Sequence, residues 1–489
     1  MNADQKIKTA IKSLPPCFTD AINHFHNLGF KTWLVGGAVR DALMGKEMLD
    51  LDLVFDRNPV AAASQYARDS GLGFATLDEE RKIARIVGKE PGYYTIDVAL
   101  MQGDSIEEDL GRRDFTLNAI ALFWMGDDIN VTDPHGGIDD IGDNILRPVF
   151  RETFIKDPVR ILRIYRFALT HGLVIAPETQ RLTAYAQKLL PDCPGERIAN
   201  ELYHILKSPE SYRAFLQMSK DGVLDYIFPE MTGMRGVTQN HWHHLDVFDH
   251  SMETLLKLEE TLSQPPPWLS PFAAKIFATL DEKISFGITR GMALKLAALY
   301  HDTGKPGHRA EDPSGKVTFI EHEKLSEKFT GKLAKRLRLP GAVTSGLSAI
   351  VLNHLRPLNA ISEGKISPKA CYRYNRDLGE WAVPASILCY ADALATRGPR
   401  VTDERRRQEE MAIIDLLQFI EHEEAKPAGG RLPVTGKDMM EKFNIPEGPL
   451  IGQLLETLRE AVSMGDVSSE GEAYRFIDKI LEERGGLNR

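Results

Sequence analysis

The sequence predicts an α+β protein, with a mixed α/β head at the N-terminal end and helices through most of the remaining chain. Helical segments alternate with short apolar segments typical of strands, at residues 33–35, 49–55, 74–77, 84–87 and 93–100. From Phe154 onward the strand signals cease and helical periodicity continues. The length of 489 residues is enough for three or four domains.

Residues 33–45 predict a strand, a glycine turn and a helix in direct succession. Gly36 and Gly37 permit positive φ and a close approach of the backbone, and residues 38–44 favour a helix. Backbone N–H groups at such a turn point toward a bound anion. The turn is therefore a candidate phosphate site.

The next strand, residues 49–55, carries two carboxylates on one face. Because strand side chains alternate, Asp50 and Asp52 share a face, and the apolar residues between and after them fill the other. Such carboxylates lie about 7 Å apart and can bracket two Mg²⁺ ions roughly 4 Å apart, as in nucleotidyl transfer. A solvated acidic strand after an ordinary turn is the alternative. The turn and the two aspartates in this order disfavour it.

A third carboxylate is predicted on the last strand of the head, residues 93–100. The Asp97 side chain points away from those of Ile96 and Val98, so it could join Asp50 and Asp52. A surface aspartate is the alternative.

Residues 108–122 place several polar side chains before an apolar stretch, which suggests one wall of a ligand site. Arg112 and Arg113 could meet phosphates, and Asp114 and Asn118 could meet sugar hydroxyls. The following segment, residues 133–140, predicts a glycine-rich turn.

A helix is predicted from Asp157, with that residue as the N-cap and Pro158 at the first helical position. Asp157 and Arg160 are three residues apart and are therefore neighbours. A carboxylate beside a guanidinium can address the edge of a base. An N-cap with a surface ion pair is the alternative. Basic residues recur from Arg147 to Arg166, which predicts either a local basic groove or a solvated helix face.

Composition restricts the classes of function. The formal net charge of −10 argues against a protein that coats nucleic acid through a global positive field. The first residues lack the apolar core of a signal peptide, and no apolar run approaches the ~18 residues that cross a bilayer. We therefore expect a cytoplasmic protein with no membrane partner. The 4 cysteines include no Cys-x-x-Cys pair, which disfavours a disulfide framework and a zinc knuckle.

These motifs together resemble the class II tRNA nucleotidyltransferases, the family of CCA-adding enzymes and poly(A) polymerases, within the polymerase-β-like superfamily. The matching segments follow the family's order: residues 34–41 with Asp50 and Asp52 (metal motif), 112–119 (ribose and phosphate), 133–137 (hinge), 156–160 (base selection) and 196–201 (helix stabilisation). The resemblance implies that Asp50 and Asp52 are catalytic and bind Mg²⁺. It also implies nucleotide contacts from Gly36, Gly37, Arg40, Arg112, Arg113, Asp114, Asn118, Asp157, Arg160 and Arg163.

In this family the base-selection motif replaces a nucleic-acid template, and its Asp and Arg pair with the incoming CTP or ATP. Asp157 and Arg160 occupy those positions, whereas Lys156 stands where the family usually has glutamate. This departure bears on which nucleotides are accepted. Residues 77–85 lack the arginine-rich segment of bacterial poly(A) polymerases, which favours tRNA ends over poly(A) tails.

The second half resembles the HD family of metal-dependent phosphohydrolases, through an adjacent His-Asp pair, distant histidines and a late aspartate. The resemblance implies one metal held by His250, His301, Asp302 and Asp392, with His322 and His354 placed to help a second. Imidazole and carboxylate ligands suit Mn²⁺, Ni²⁺, Fe²⁺ or Zn²⁺, and the metal would activate water against a phosphoester. Such a domain can also persist as an RNA-binding helical body.

The resemblance implies a polymerase-β-like nucleotidyltransferase head with a mixed sheet, an all-helical neck and body, a helical HD domain and a helical tail. The expected boundaries are residues 1–145 for the head, 146–235 for the neck and body, 236–400 for the HD domain and 401–489 for the tail. The neck and body would select the nucleotide and bind RNA. The oligomeric state stays open.

The expected reaction is template-independent addition of CCA, from CTP and ATP, to the 3′ end of tRNA with release of pyrophosphate. One alternative is a partial enzyme that adds only CC or only the terminal A, a difference linked to residues 77–94. A second is an RNA phosphohydrolase acting at His301 and Asp302, with the head used only for binding. A third is a non-catalytic RNA-binding protein, which the intact pair of aspartates disfavours.

Overall fold

The computed structural model describes residues 14–485 except 47, 49, 90–92, 126–127, 286 and 426–431, and also residues 5, 7, 9 and 11. The chain forms two compact units. The first comprises residues 1–205 and 213–227, and the second comprises residues 206–212 and 228–489. The finer division into head, neck, HD domain and tail stays a prediction.

A mixed sheet forms the centre of the first unit. Its strands are β1 (Thr32–Val35), β2 (Asp50–Phe55), β3 (Gly73–Asp78), β4 (Ile83–Gly88), β5 (Tyr94–Leu100), β6 (Ala121–Met125) and β7 (Asp128–Thr132). Among the described residues, the strand order is β3-β4-β5-β2-β1-β6-β7. β2 and β5 run parallel, whereas the other neighbours are antiparallel. The predicted mixed sheet is confirmed.

Helices cover the sheet and continue beyond it. They are α1 (Pro16–Asn27), α2 (Gly36–Leu43), α3 (Val60–Asp69), α4 (Ile106–Leu110), α5 (Gly137–Gly142), α6 (Thr153–Lys156), α7 (Arg160–His171), α8 (Pro177–Ala186), α9 (Gly195–Leu206), α10 (Ser211–Lys220) and α11 (Leu224–Ile227). The ring centroids of Phe25 in α1 and Phe55 in β2 lie 4.7 Å apart. Full burial of each ring contributes about 1.5–3 kcal/mol, which fixes the apolar face of β2 against α1.

Two predicted helix starts differ from the structure. α2 begins at Gly36, two residues before the predicted start, because the positive φ of +67° at this glycine lets the chain turn directly into the helix. The predicted N-cap at Asp157 is wrong, since α7 begins at Arg160 with Val159 before it. The Asp157 carboxylate instead accepts a 2.8 Å hydrogen bond from Arg197 Nη2, so it does not cap the helix.

The prediction that strands cease at Phe154 is wrong in detail, and the described part of residues 146–400 is mostly rather than wholly helical. β8 (Ile145–Leu146) pairs in parallel with β9 (Val174–Ile175). The second unit contains the short antiparallel pairs β10 (Lys283–Ser285) with β11 (Ile288–Thr289), β12 (Ala310–Glu311) with β13 (Val317–Thr318), and β14 (Ile361–Ser362) with β15 (Lys365–Ile366). Strands of two or three residues are too short to show a periodicity.

Helices dominate the second unit. They are α12 (Pro229–Thr232), α13 (Val247–Ser263), α14 (Ala273–Asp281), α15 (Arg290–Tyr300), α16 (Lys305–His308), α17 (His322–Leu337), α18 (Gly341–Asn353), α19 (Arg356–Asn359), α20 (Pro368–Leu378), α21 (Ala382–Ala395), α22 (Asp403–Ala425), α23 (Gly436–Phe443), α24 (Pro449–Met464) and α25 (Glu470–Gly485). α15 and α21 are buried along almost their whole length, and the two buried cations of α15, Arg290 and Lys295, are paired with carboxylates. α23 to α25 enclose a core of their own around Met439, Leu458 and Ile477.

None of the helices in the described part of the chain combines the length and the apolar character that a membrane crossing requires.

Candidate active site and metal centre

Three aspartates meet on one face of the head sheet. β2 pairs with β5 so that Asp52 lies directly beside Asp97, and Asp50 lies beside Thr95. The Thr95 hydroxyl donates a 2.7 Å hydrogen bond to Asp50 Oδ1. Burial raises the pKa of Asp52, and the two neighbouring aspartates add to this effect, whereas the charge of Arg113 opposes it. A divalent cation would relieve the repulsion among these oxygen ligands, and oxygen ligands suit Mg²⁺.

The glycine turn lies against these aspartates. A Cβ atom on Gly36 would lie 2.9 Å from Asp52 Oδ2, so any side chain there would displace the Asp52 carboxylate. The backbone N–H of Gly37 donates a 3.1 Å hydrogen bond to the same oxygen. The predicted anion-facing turn therefore contacts a carboxylate, and it joins the start of α2 to the predicted metal ligand.

A hydrogen-bonded chain of polar side chains connects α2 with α7. Arg40 Nη1 donates to Asn118 Oδ1 at 2.8 Å, and Asn118 Nδ2 donates to Asp114 Oδ1 at 3.0 Å. Arg163 Nη1 lies 2.9 Å from the second oxygen of Asp114. Four residues from three segments that are distant in sequence are thereby held in one fixed orientation beside the glycine turn.

A cavity of about 770 Å³ brings most of the predicted nucleotide-binding residues together. Its lining includes Gly36, Gly37, Arg40, Asp52, Arg112, Arg113, Asp114, Asn118, Arg160 and Arg163. Asp50 and Asp157 are outside this lining but adjoin it through Asp52 and Arg160. A volume of this size, with several cations and a carboxylate group, suits a nucleoside triphosphate and its metal.

The predicted base-selection pair lies close together, although the structure adds a partner. Arg160 Nε lies 3.7 Å from Asp157 Oδ2. Arg160 also donates hydrogen bonds of 3.2 and 3.0 Å to the backbone carbonyl oxygens of Arg113 and Arg112. Arg197, which the sequence placed only in the helix-stabilising motif, holds the Asp157 carboxylate. These contacts fix the direction in which the pair presents its free polar atoms.

Phe167 and Arg166 also line the cavity and were missed as site residues. The guanidinium carbons of Arg40, Arg163 and Arg166 lie 5.2, 5.4 and 4.6 Å from the centre of the Phe167 ring. Arg166 Nε lies 2.9 Å from Glu201 Oε2. The spacing of Arg160, Arg163 and Arg166 at intervals of three residues could have identified this helix face.

The histidines and aspartates of the second half form one buried cluster. The ligand atoms of His250, His301 and Asp392 lie within 4.8 Å of one another, and so do those of His301, Asp302 and His354. His322 Nε2 lies 3.1 Å from Asp302 Oδ1. The structure therefore places together all six residues of the predicted HD site.

Backbone carbonyl groups orient three of these imidazoles. The Nδ1 atoms of His301, His322 and His354 donate hydrogen bonds of 2.8, 2.8 and 2.7 Å to the carbonyl oxygen three residues earlier. A carbonyl only accepts, so each ring carries a proton on Nδ1 and turns its Nε2 toward the cluster. Within the described residues, the buried Nε2 of His354 has no hydrogen-bond partner. This arrangement fits a metal site with nitrogen and oxygen ligands.

Two histidines of the cluster are neutral and Asp302 is ionised, and these charge states suit the binding of a cation. Burial lowers the pKa of His354 to about 3 and also lowers the pKa of His250, so both rings are neutral at pH 7. Burial alone would raise the pKa of Asp302, but the charges of His301 and Lys305 outweigh it and hold that pKa well below its usual range. Lys305 Nζ, which was not predicted as a site atom, lies 2.6 Å from Asp302 Oδ2.

Three family models match segments of the chain. The model of the poly A polymerase head domain matches residues 32–147. A model described as the probable RNA and SrmB-binding site of polymerase A matches residues 172–234, and the HD domain model matches residues 272–397. The matches contain the aspartate site and most of the histidine cluster.

Curated relatives are similar over nearly the whole chain. An A-adding tRNA nucleotidyltransferase from Deinococcus radiodurans is 32% identical over 93% of this chain and 96% of its own length. A CC-adding tRNA nucleotidyltransferase from Geobacter sulfurreducens is 30% identical over 92% of each. A multifunctional CCA protein from Chromobacterium violaceum is 31% identical over 75% of this chain and 84% of its own length.

Solved structures share the fold. A CCA-adding enzyme in complex with CTP has a TM-score of 0.66 at 19% identity and covers 99% of both chains. The Thermotoga maritima CCA-adding enzyme in complex with a tRNA has a TM-score of 0.63 at 20% identity, covering 98% of this chain and 99% of its own. The extent of the curated relatives' similarity decides the family: the chain belongs to the tRNA nucleotidyltransferase and poly(A) polymerase family of nucleotidyltransferases, and it carries an HD domain.

Proposed function

We propose that this enzyme adds CCA to the 3′ end of tRNA, using CTP and ATP and releasing pyrophosphate, in the cytoplasm. The observation that carries the proposal is the position of Asp52 and Asp50 beside a cavity lined by arginines and closed by Arg160. Relatives named as tRNA nucleotidyltransferases, similar over more than 90% of the chain, support tRNA as the acceptor.

Heads of this family use divalent metal ions, and we propose Mg²⁺ held by Asp50 and Asp52. When bound, the metal ions supply charge neutralisation for the triphosphate and activation of the terminal 3′-hydroxyl. The chain orients the reactants around them. Arg112 and Arg113 offer guanidinium donors to phosphate oxygens, and Gly36 and Gly37 let the backbone approach the nucleotide closely.

Three further residues complete the proposed nucleotide site. Arg40, Asn118 and Asp114 form the hydrogen-bonded chain that faces the sugar, and Arg163 fixes the carboxylate of Asp114. We also propose that Asp97 is a third metal ligand, because it lies beside Asp52 across two parallel strands.

Asp157 and Arg160 would choose the base through their remaining polar atoms, one accepting and one donating. The Lys156 ammonium lies 4.6 Å from the centre of the Phe150 ring, and among the described residues no ion pair joins it to Asp157. We therefore propose that the departure from glutamate at this position leaves the pairing groups themselves intact.

Replacement of the two aspartates tests the head. Asp50→Asn with Asp52→Asn should abolish CTP incorporation into a tRNA that lacks CCA. The matched control is Asp56→Asn, an exposed carboxylate just after the same strand. Undiminished incorporation by the double variant would contradict the proposal.

For the histidine cluster we propose a phosphohydrolase centre that takes Mn²⁺, Ni²⁺, Fe²⁺ or Zn²⁺. His250, His301, Asp302 and Asp392 would hold one metal, which supplies an activated water when bound. His322 and His354 would help hold a second. Support comes from the convergence of buried imidazole and carboxylate atoms from these six residues.

Labelled RNA ending in a 2′,3′-cyclic phosphate or a 2′-phosphate tests this second activity. Hydrolysis that survives Asp50→Ala but is lost in Asp302→Ala would assign it to the cluster. Hydrolysis without any nucleotide incorporation would favour the alternative of an RNA phosphohydrolase that uses its head only for binding.

A second candidate is a partial enzyme that adds only CC or only the terminal A. Relatives named for each partial activity match more than 90% of the chain, which favours this candidate.

We propose the division of the chain into domains at residues 1–145, 146–235, 236–400 and 401–489, supported by the three family-model matches.

A further inference from the structure

Arg85 stands in the same row of side chains as the predicted metal ligands. β4 pairs with β5 so that Arg85 lies beside Asp97, and β5 pairs with β2 so that Asp97 lies beside Asp52. The next row on this face, two residues along each strand, is Ile83, Ala99 and Val54, and these line the nucleotide cavity. Arg85 is therefore at the edge of the cavity floor.

Arg85 occupies both oxygens of Asp97. Its Nε and Nη2 atoms donate hydrogen bonds of 2.7 Å each to Oδ1 and Oδ2. A metal ion bound by Asp97 would need one of the same oxygens, and it would also repel the guanidinium. Arginine and the cation therefore compete for one carboxylate.

The Arg85 side chain has room to move away from Asp97 when a cation takes its place. Its side chain is 42% exposed, and that of Asp97 is 26% exposed, so separating them opens no apolar core. This exposure limits what the pair contributes to stability, while its bidentate geometry makes it stronger than most surface ion pairs. A guanidinium released at the edge of the cavity meets the phosphates of a nucleotide, which match its planar array of donors.

We propose that Arg85 exchanges partners: it leaves Asp97 when a divalent cation binds the aspartates, and it then contacts the triphosphate of the incoming nucleotide. This inference rests on the proposed role of Asp50 and Asp52 as metal ligands. It makes metal and nucleotide bind cooperatively, because the metal frees the arginine that the nucleotide uses. A purely structural salt bridge would produce no such coupling.

The test measures Mn²⁺ binding by electron paramagnetic resonance in the full chain. Every sample carries Asp302→Asn, so that the histidine cluster contributes less to binding. Arg85→Gln should bind Mn²⁺ about fivefold or more tightly, because a competing charge is removed. Arg68→Gln, which removes an exposed arginine of α3, should bind as the parent does. With Asp97→Asn also present, Arg85→Gln should make no difference.

A second measurement follows CTP affinity without tRNA, with and without Mn²⁺. The gain in CTP affinity that Mn²⁺ gives the parent should shrink about fivefold or more in Arg85→Gln. The proposed exchange of partners is overturned if Arg85→Gln binds Mn²⁺ no more tightly than the parent does. It is also overturned if Mn²⁺ raises the CTP affinity of Arg85→Gln as much as it raises that of the parent. If Arg85→Gln does not fold, Arg85→Lys, which keeps the charge without the paired donors, should shrink the gain in the same direction. Asp52→Asn separates the two proposals, since Mn²⁺ binding as tight as that of the parent in this variant refutes the metal site itself.

Discussion

Asp52→Asn should stabilise the protein while it removes the activity. Asp52 lies directly beside Asp97 on a paired strand and is half-buried. Like charges placed directly across a sheet destabilise it by roughly 0.2–1 kcal/mol. Asparagine keeps the shape and can still accept the hydrogen bond from Gly37 N–H. For a unit of this size, the gain corresponds to an increase in Tm of about 0.4–4 °C in chelated buffer.

The activity should change in the opposite direction. Loss of one ligand of a metal pair that stabilises the transition state by several kcal/mol should lower kcat about 1,000-fold or more. Incorporation of labelled CTP into tRNA without CCA measures this loss, and scanning calorimetry measures Tm. Asp56→Asn should change neither quantity.

The gain in stability should depend on pH. The folded pKa of Asp52 is raised, so the ionised carboxylate opposes folding, and protonation removes that opposition. The difference in Tm between Asp52→Asn and the wild type should therefore be largest near neutral pH. It should shrink as the pH falls through this raised pKa. A variant that is less stable than the wild type by more than about 1 kcal/mol, or that keeps a tenth of its kcat, would refute this reasoning.

Three further changes follow from the site. Arg160→Lys should lower the discrimination between CTP and ATP about tenfold or more, because lysine cannot hold both backbone carbonyls that orient the guanidinium; separate kcat/KM values for the two nucleotides measure this. Phe167→Leu should raise KM for CTP about threefold to tenfold with a smaller change in kcat, since three guanidiniums lose their contact with the ring; unchanged KM would exclude a positioning role. Asp302→Asn should reduce the transition metal that copurifies with the chain, as elemental analysis would detect, while CTP incorporation persists; loss of incorporation would argue against separate sites.

The sequence predicted the local parts of the site well because they depend on alternation and turn chemistry. Asp50 and Asp52 share a face because side chains alternate along a strand, whatever the rest of the fold. The mixed sheet followed from the order of strands and helices, although its parallel pair β2 and β5 was not predictable from local pattern.

Interactions between distant segments were the part that sequence reasoning missed. The register that brings Arg85 to Asp97 depends on which strands become neighbours, and no local signal reports it. The hydrogen bond from Arg197 to Asp157 likewise joins residues 40 positions apart. It also explains the wrong N-cap, because the sequence offered a capping carboxylate and could not show that a distant arginine holds it.

The histidine cluster was predicted in one part and missed in another. Its six members were identified through a family pattern, and the structure brings them together. Lys305 follows only three residues after Asp302, yet its contact with that carboxylate depends on how the chain turns into α16. Residues that tune a site through such contacts need the backbone path before they can be named.

The central claim is that the chain builds a CCA end on tRNA without a nucleic-acid template. The most direct test offers the purified wild-type protein four tRNAs, ending before CCA, after the first C, after both C residues, or after the complete CCA, with CTP, ATP or both. The account predicts that both nucleotides together complete every shortened tRNA and leave the complete one unextended. Failure to extend any of the three shortened tRNAs would contradict it.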